Sequence, residues 1–483
     1  MKVSRLVTAA LGLALGACSV GPEYQRPTIA VPAHWSQTQA GPPVARSSDG
    51  WQQLHDQELN RLLAIAVKNN LDLAQATTHI RAARAARRIL AAAQSPSLDF
   101  SSSASREHES ANVPATAVGV PGETDSLFQS GFDASWELDL FGARRRRLQA
   151  ADAQIQALQY DRADVLLSVL AEVSRNYLLL RSCQEQQALA DERLRLRQDQ
   201  LALIESLARA GMSSDDEVAS AAADLSNAQA ARPPLLLNAR RYMHQLEILL
   251  AKNPGELDDE LSRNAAPPQL PPSLPSSLPS DLLRQRPDIR AAERRLAAAS
   301  ARIGAAQADW YPQFSLLAGI GWASSTLGSL ATGASRAWSI GPALTWPILR
   351  GGQIAATIKV RNAEQQAALI DYRRTLLQAL ADTENALAAY TQEQSRLRSL
   401  NQAMAAQQRR LTQARSRYAA GLDSYRQVQI RHSLLLDAQG QEEQSEQALR
   451  TDWVALHKAL GGGWDSKMTH LCSPKPAAGL AAC

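Results

Sequence analysis

Few residues in this chain are spaced for chemistry. Its eight histidines, at 34, 55, 79, 108, 244, 432, 457 and 470, include no pair at i, i+3 or i+4. No helix can therefore offer two imidazoles to one metal. The four cysteines form no C-x-x-C and are too few for a disulfide framework. No nucleophile–base grouping or Gly-rich phosphate loop is present, so an envelope enzyme has no residues to work with. What is grouped is charge at turns. Arg209, Asp215, Asp216 and Glu217 surround Gly211, and Arg417, Tyr418, Asp423, Tyr425 and Arg426 surround Gly421. Several copies of an acidic residue meeting on a narrow axis create a field that draws cations and repels anions. That is electrostatic work and involves no bond making.

The elements that must carry these turns follow from the rest of the 483 residues. The chain is 45% hydrophobic, 20% charged and only +4 overall, too balanced for a nucleic-acid partner. It opens with Lys2 and Arg5, then an apolar run from Leu6 to Ala17. That run is too short to span a bilayer and reads as a secretory leader over residues 1–17. Leu15-Gly16-Ala17-Cys18 resembles the bacterial lipobox, which places N-acyl and S-diacylglycerol lipid on Cys18 as the only covalent group expected; no cofactor or metal is. Ser19 in place of Asp is expected to permit transport to the outer membrane. At ~0.8 kcal/mol per buried CH₂, several acyl chains hold a mature N-terminus firmly. Export also implies an oxidising compartment, where Cys472 and Cys483 could pair.

The strongest internal signal is duplication. Asp72 and Pro96 recur as Asp288 and Pro312, shifted by 216; Gly211 and Val218 recur as Gly421 and Val428, shifted by 210. Each half reads helix, strand, strand, very long helix, turn, long helix. The expected divisions are an extended segment at 18–60, a first repeat at 61–265, a Pro-rich linker at 266–280 that cannot be helical, a second repeat at 281–465 and a disordered tail at 466–483. From Ala143 to about Ala208, and again from Gly352 to Ala420, no Pro or internal Gly interrupts good helix formers. At ~1.5 Å per residue each run reaches on the order of 100 Å. Leu166, Val169, Leu170, Val173, Tyr177 and Leu180 mark a buried stripe. Gly211 and Gly421 supply the left-handed stops of two antiparallel hairpins.

Four short stretches switch to period two. They lie near 97–106, 127–140, 313–323 and 337–348. Phe128, Phe132, Ala134, Trp136 and Leu138 alternate with Gln129, Gly131, Asp133, Ser135 and Glu137. Trp322, Trp338 and Trp346 stand at strand ends. Strands of about ten residues with one apolar face, one polar or small face and aromatic ends fit a transmembrane β-barrel. Four strands cannot close around a lumen, for which roughly eight are needed, and open edges do not persist in lipid. Several chains must therefore share one barrel. Arg144 to Arg147 follow the second strand directly; Arg144 and Arg145 are expected to meet lipid phosphate at the membrane interface.

Cys18-Ser19-Val20-Gly21-Pro22-Glu23-Tyr24, Trp136-Glu137-Leu138-Asp139-Leu140-Phe141-Gly142, Leu344-Thr345-Trp346-Pro347-Ile348-Leu349 and Arg286-Pro287-Asp288-Ile289 together resemble the outer membrane factor lipoproteins of tripartite efflux systems. The resemblance implies a mixed α and β fold. A homotrimer would share a 12-stranded transmembrane β-barrel, four strands per protomer, above an all-α periplasmic barrel of coiled-coil helices. It implies an outer-membrane location with a long periplasmic extension. The implied partners are a periplasmic membrane fusion (adaptor) protein, an inner-membrane resistance–nodulation–division transporter and outer-membrane lipid. The hairpin turns at Gly211 and Gly421 would meet the adaptor, and a Glu217–Tyr418 hydrogen bond is expected to latch the periplasmic tip. One departure is Gln427 where the first repeat has Glu217.

The expected function is the exit duct of an efflux pump for drugs or other toxic small solutes. Two alternatives are the channel of an ATP-driven type I secretion system and a lipid-anchored coiled-coil scaffold. The scaffold explains the helices and Cys18 but not the aromatic-edged strands.

Overall fold

The computed structural model describes residues 20–36, 50–108, 110–112, 123–263, 265–271 and 286–462. The leader, Cys18, most of the Pro-rich linker and the tail with Cys472 and Cys483 lie outside the described residues. A 3₁₀ turn at Gly50–Leu54 precedes helices α1 (Gln57–Asn69) and α2 (Leu71–Ala92), then strands β1 (Ser97–His108) and β2 (Thr124–Leu138). Helix α3 (Ala143–Arg209), α4 (Asp215–Leu249) and the short α5 (Asp258–Leu261) complete the first half. The second contains α6 (Pro287–Ala308), β3 (Gln313–Ser324), β4 (Arg336–Thr345), α7 (Gln353–Ala419) and α8 (Tyr425–Ala459).

The duplication is visible in element lengths. The pairs α2/α6, β1/β3, α3/α7 and α4/α8 have 22, 12, 67 and 35 residues in both copies. Three boundaries differ from expectation. The segment read as extended to residue 60 is already helical from Gln57, because the Asp56 carboxylate accepts the Leu59 N–H at 2.9 Å and caps α1. Strands β2 and β4 stop at Leu138 and Thr345, short of 140 and 348. Asp139 leaves the ladder to cap α3, and Pro347 has no N–H to donate. The sequence pattern also gave no warning that α4 runs through Pro233 and Pro234.

The chain forms two compact units. The first holds residues up to Thr28, His79–Leu158 and Ala291–Arg373; the second holds Ile29–Thr78, Gln159–Arg290 and Arg374 onward. The first contains a single four-stranded antiparallel sheet in the order β1-β2-β3-β4. Its helical packing is alanine-rich: Ala153, Ala297 and Ala298 close together against Tyr24. Small side chains let backbones approach. A Cβ on Gly21 would fall 2.3 Å from the Gly304 Cα, so the N-terminal strap lies directly on α6. The strap is pinned further along by the Tyr24 hydroxyl, which donates to Glu293 Oε1 at 2.6 Å.

The second unit carries the large apolar core. Leu166, Val169, Leu170, Val173, Tyr177 and Leu180 of the predicted stripe are all buried. They meet Leu59 and Leu62 of α1, Leu246 of α4 and Trp453 of α8. Glu247 is fully buried, and its Oε1 accepts the Gly255 and Leu257 N–H groups at 2.8 and 3.0 Å, fixing the turn after α4. Cys183 is a buried free thiol, raised in pKa by its burial.

His457 stacks on Trp453 with centroids 5.0 Å apart and meets Trp51 edge-on at 4.9 Å. Burial lowers its pKa from 6.5 to about 4. The unfolded chain therefore takes up this proton first, so stability is full above pH 6.5 and falls as pH drops toward 4. At about 1.4 kcal/mol per pH unit, the loss over that window is roughly 3 kcal/mol. Melting curves of the wild type should shift down across it. Those of His457→Gln should lack that part of the shift, and parallel pH profiles for the two proteins would refute the assignment.

Candidate functional site

Two regions place the predicted residues. In the sheet, register decides which side chains share a face. Phe100 lies opposite Phe132, Phe132 opposite Ile320, and Ile320 opposite Trp338. One face is therefore a continuous apolar surface, and its members Phe100, Ile320, Trp338, Ile340 and Leu344 are exposed in the single chain. The opposite face carries Asp99 against Asp133, Gly131 against Gly321, and Gly319 against Ser339. The Ser101 hydroxyl donates to Asp133 Oδ2 across the strands at 3.1 Å. Among the described residues, β1 and β4 each pair on one side only.

Two tryptophans tie the strand ends to the helices in the same way. The Trp136 indole N–H donates to the Gln94 carbonyl at 2.9 Å, and the Trp346 indole N–H donates to the Trp310 carbonyl at 3.1 Å. These are equivalent positions of the two repeats. Trp322 lies opposite Arg336 at the far end of β3, and Trp338 is the most exposed of the four. Such amphipathic rings suit a membrane–water boundary.

The basic run after β2 is engaged differently from the lipid-phosphate role expected for it. Asp139 caps α3, accepting the Arg144 and Arg145 N–H groups at 3.0 and 2.8 Å. The Arg144 guanidinium pairs with Glu137, and that of Arg145 lies 3.6 Å from Asp139. Arg146 is buried and donates to the Val20 and Gly21 carbonyls at 3.1 and 3.0 Å. Arg147 reaches Asp309 at 3.7 Å and stays half exposed. Acids at 137, 139 and 309, not counted as site residues in the sequence, thus pair three of the four arginines, backbone carbonyls hold the fourth, and the run becomes the strand-to-helix junction.

The second region is the pair of hairpin turns. Both are Schellman motifs. Met212 N–H donates to Leu207 O and Gly211 N–H to Ala208 O, at 2.8 and 2.9 Å; Leu422 and Gly421 bond Arg417 and Tyr418 carbonyls in the same manner at 2.9 Å. Gly211 and Gly421 have φ of +69° and +71°. Beyond the first turn, Ser214 and Glu217 form a capping box, legible in hindsight as Ser-x-x-Glu. Ser424 has no such side-chain cap.

The Glu217–Tyr418 hydrogen bond expected from the sequence is not formed within one chain. The Glu217 carboxylate accepts from the Ser213 hydroxyl and the Ser214 N–H, and its Oε1 accepts from Arg426 at 3.1 Å. The first of these bonds is the main reason its pKa is lowered. Tyr418 packs on Tyr425 instead, centroids 5.4 Å apart. Arg417 pairs with Asp423 at 3.3 Å. Asp215 and Asp216 occupy the first turn of α4, where negative charge suits the helix N-terminus. Arg209 donates to its own helix at the Glu205 carbonyl.

The turn geometry makes a direct test. Nothing lies within 4 Å of a Cβ at Gly211 or Gly421, so alanine there meets only backbone strain. Gly211→Ala and Gly421→Ala should each cost about 1–2 kcal/mol of local stability, seen as faster amide exchange confined to the mutated hairpin. Unchanged exchange would contradict the left-handed assignment.

Comparison with known proteins accounts for this architecture. A family model described as "Outer membrane efflux protein" matches residues 62–252 and 278–462. The chain is 33% identical over 481 residues to the solvent efflux pump outer membrane protein SrpC of Pseudomonas putida, covering 96% of this chain and 99% of that one. It is 32% identical to outer membrane protein OprJ of Pseudomonas aeruginosa, covering 94% and 95%. Among solved structures, the outer-membrane channel OprN superposes with a TM-score of 0.85 at 34% identity, over 92% of this chain and all of that one. The open state of the Neisseria gonorrhoeae MtrE channel gives 0.81 at 27% identity, over 92% and 99%. The family model spans both halves of the chain and the relatives align over nearly all of it, and the chain belongs to the outer membrane efflux protein family as the outer-membrane exit duct of a tripartite efflux system.

Proposed function

We propose that three copies of this chain close one 12-stranded barrel in the outer membrane, with the apolar sheet face toward lipid and the Asp99/Asp133/Ser339 face toward water. One observation carries the reading: a sheet with one continuous apolar face left uncovered in the single chain, and, among the described residues, a pairing edge left on both β1 and β4. Each open edge presents unpaired N–H and C=O groups that hydrocarbon cannot satisfy. Joining β4 of one copy to β1 of the next satisfies both edges. The hairpins at Gly211 and Gly421 then face a periplasmic adaptor, which links the duct to a resistance–nodulation–division transporter that supplies the energy.

Relatives named for solvent, toluene and antibiotic efflux support hydrophobic organic solutes as cargo. The lipid anchor on Cys18 is part of the same proposal. Val20 N–H donates to the Phe141 carbonyl at 3.2 Å, and Arg146 holds the Val20 and Gly21 carbonyls. This support brings the chain two residues after Cys18 to the strand-to-helix junction, beside the bilayer surface where an acyl chain inserts.

Substitutions on the two sheet faces separate this reading from a periplasmic scaffold. Ile340→Arg, on the apolar face, should lower the yield of membrane-inserted, heat-resistant trimers, since an arginine facing lipid costs about 2–4 kcal/mol at the bilayer midplane. Ser339→Arg, one residue away on the other face, should leave trimers intact and reduce conductance in planar bilayers. Equal effects of the two, or wild-type protein without conductance, would remove the barrel. Cys18→Ala should abolish labelling by radioactive palmitate, and retained labelling would remove the anchor.

A further inference from the structure

Helices α3 and α8 share a charged cluster, buried at Glu443 and Arg450, with more acids than its single base can pair. Glu443, Glu446 and Arg450 of α8 face Ser182 and Glu185 of α3. Arg450 Nη1 donates to Ser182 Oγ at 2.9 Å and to Glu443 Oε1 at 3.2 Å, while its Nη2 binds Glu446. Glu185 Oε2 stands 3.6 Å from the guanidinium and finds no hydrogen-bond partner. The Glu443 and Arg450 side chains are 8% and 10% exposed.

The Glu185 and Glu443 carboxylates approach the same Arg450 nitrogen, at 3.6 and 3.2 Å. Two ionised carboxylates have only acceptors, so they can bond each other only when one of them carries a proton. One guanidinium among three ionised acids would otherwise leave two uncompensated negative charges around the buried Glu443, although Glu185 and Glu446 keep about a third of their side chains in water. Burial, and then the Glu185 bond, push Glu443 well above the usual carboxylate range. Its neighbour Glu442 is raised too, by burial and by Glu446. On the α7 side, Glu393 adds negative charge, held by Ser445 and Arg396.

The same seam is otherwise stitched by neutral or compensated pairs. Gln186 donates to Gln447 at 2.7 Å, Arg193 to the Leu436 carbonyl at 2.6 Å, and Arg197 to Ser433 at 3.2 Å, with Asp437 3.4 Å from Arg193. His432 lies 3.2 Å from Glu192 and is the other titratable contact along it. The Glu185–Glu443 cluster is the place on this seam where carboxylates crowd one base.

We propose that a proton shared by Glu185 and Glu443 latches α8 to α3, and that losing it as the periplasm turns alkaline loosens this seam and favours the open duct. The latched state binds the proton more tightly than a separated, hydrated state. Latching is therefore complete at acid pH and is lost as pH rises past the ordinary carboxylate range. The gating half rests on the duct assigned above; the latch itself does not.

Amide exchange across residues 436–450 of the purified full-length protein, corrected for intrinsic rates between about pH 5.5 and 9, reads the latch. Conductance of the same protein in planar bilayers reads the gate. Seam opening in the wild type should rise by up to about tenfold per pH unit, with conductance rising alongside. Glu443→Gln and Glu185→Gln, each tested because either could fold poorly, should stay protected and poorly conducting at all pH values. His432→Gln should keep the wild-type slope. A wild-type slope that persists in both glutamine variants overturns the latch. A latch that follows pH while conductance does not overturns the gating role. Absence of conductance from every protein at every pH overturns the duct and leaves the exchange data to decide the latch.

Discussion

The structure depends on a backbone hydrogen-bonding constraint. Four strands pair with one another and leave β1 and β4 each with a free side. In water such edges would be hydrated; in hydrocarbon they have no partner other than another strand. The apolar face running through Phe100, Phe132, Ile320 and Trp338 places the sheet in hydrocarbon. The proposed trimer satisfies both edges at once and gives a lumen lined by the polar and small residues of the opposite face. In that assembly no single chain contains the conduit.

The helical part obeys a different constraint. A helix of 67 residues cannot bury its surface in one globular core, so it relies on a narrow stripe and on neighbours. The second unit meets this with a leucine-rich core at α1, α3, α4 and α8 and with polar stitches along the α3–α8 seam. The first unit meets it with alanine and glycine, which let the N-terminal strap lie against α6. Close packing of small residues makes one part unyielding, while hydrogen-bonded and titratable pairs leave the other with alternative arrangements. The gating proposed above rests on the second kind of contact.

Duplication also has limits in the structure. The two hairpins share their Schellman geometry bond for bond, because a sharp reversal after a long helix needs a left-handed residue wherever it occurs. The residues that follow have diverged. Glu217 closes a capping box and reaches Arg426, whereas Gln427 does neither. The tip is therefore asymmetric in charge although its backbone is repeated, and the asymmetry is bridged by the Glu217–Arg426 pair.

Sequence by itself determined the period-two strands, the long uninterrupted helices, the stops at Gly211 and Gly421 and the doubling of all of these. Each is set by local backbone preference or by alternation of apolar and polar residues over short distances. It also determined which residues cluster at the turns. Tertiary structure alone decided their partners. Arg144 to Arg147 read as a free basic patch until folding brought Glu137, Asp139, Asp309 and the Val20 and Gly21 carbonyls against them. Within the chain Glu217 reaches Arg426, and Glu443 shares Arg450 with Glu185, from a helix more than 250 residues earlier. Charge pairing acts through space over a few ångströms, so it is decided by which helix faces pack together, and spacing along the chain does not encode that.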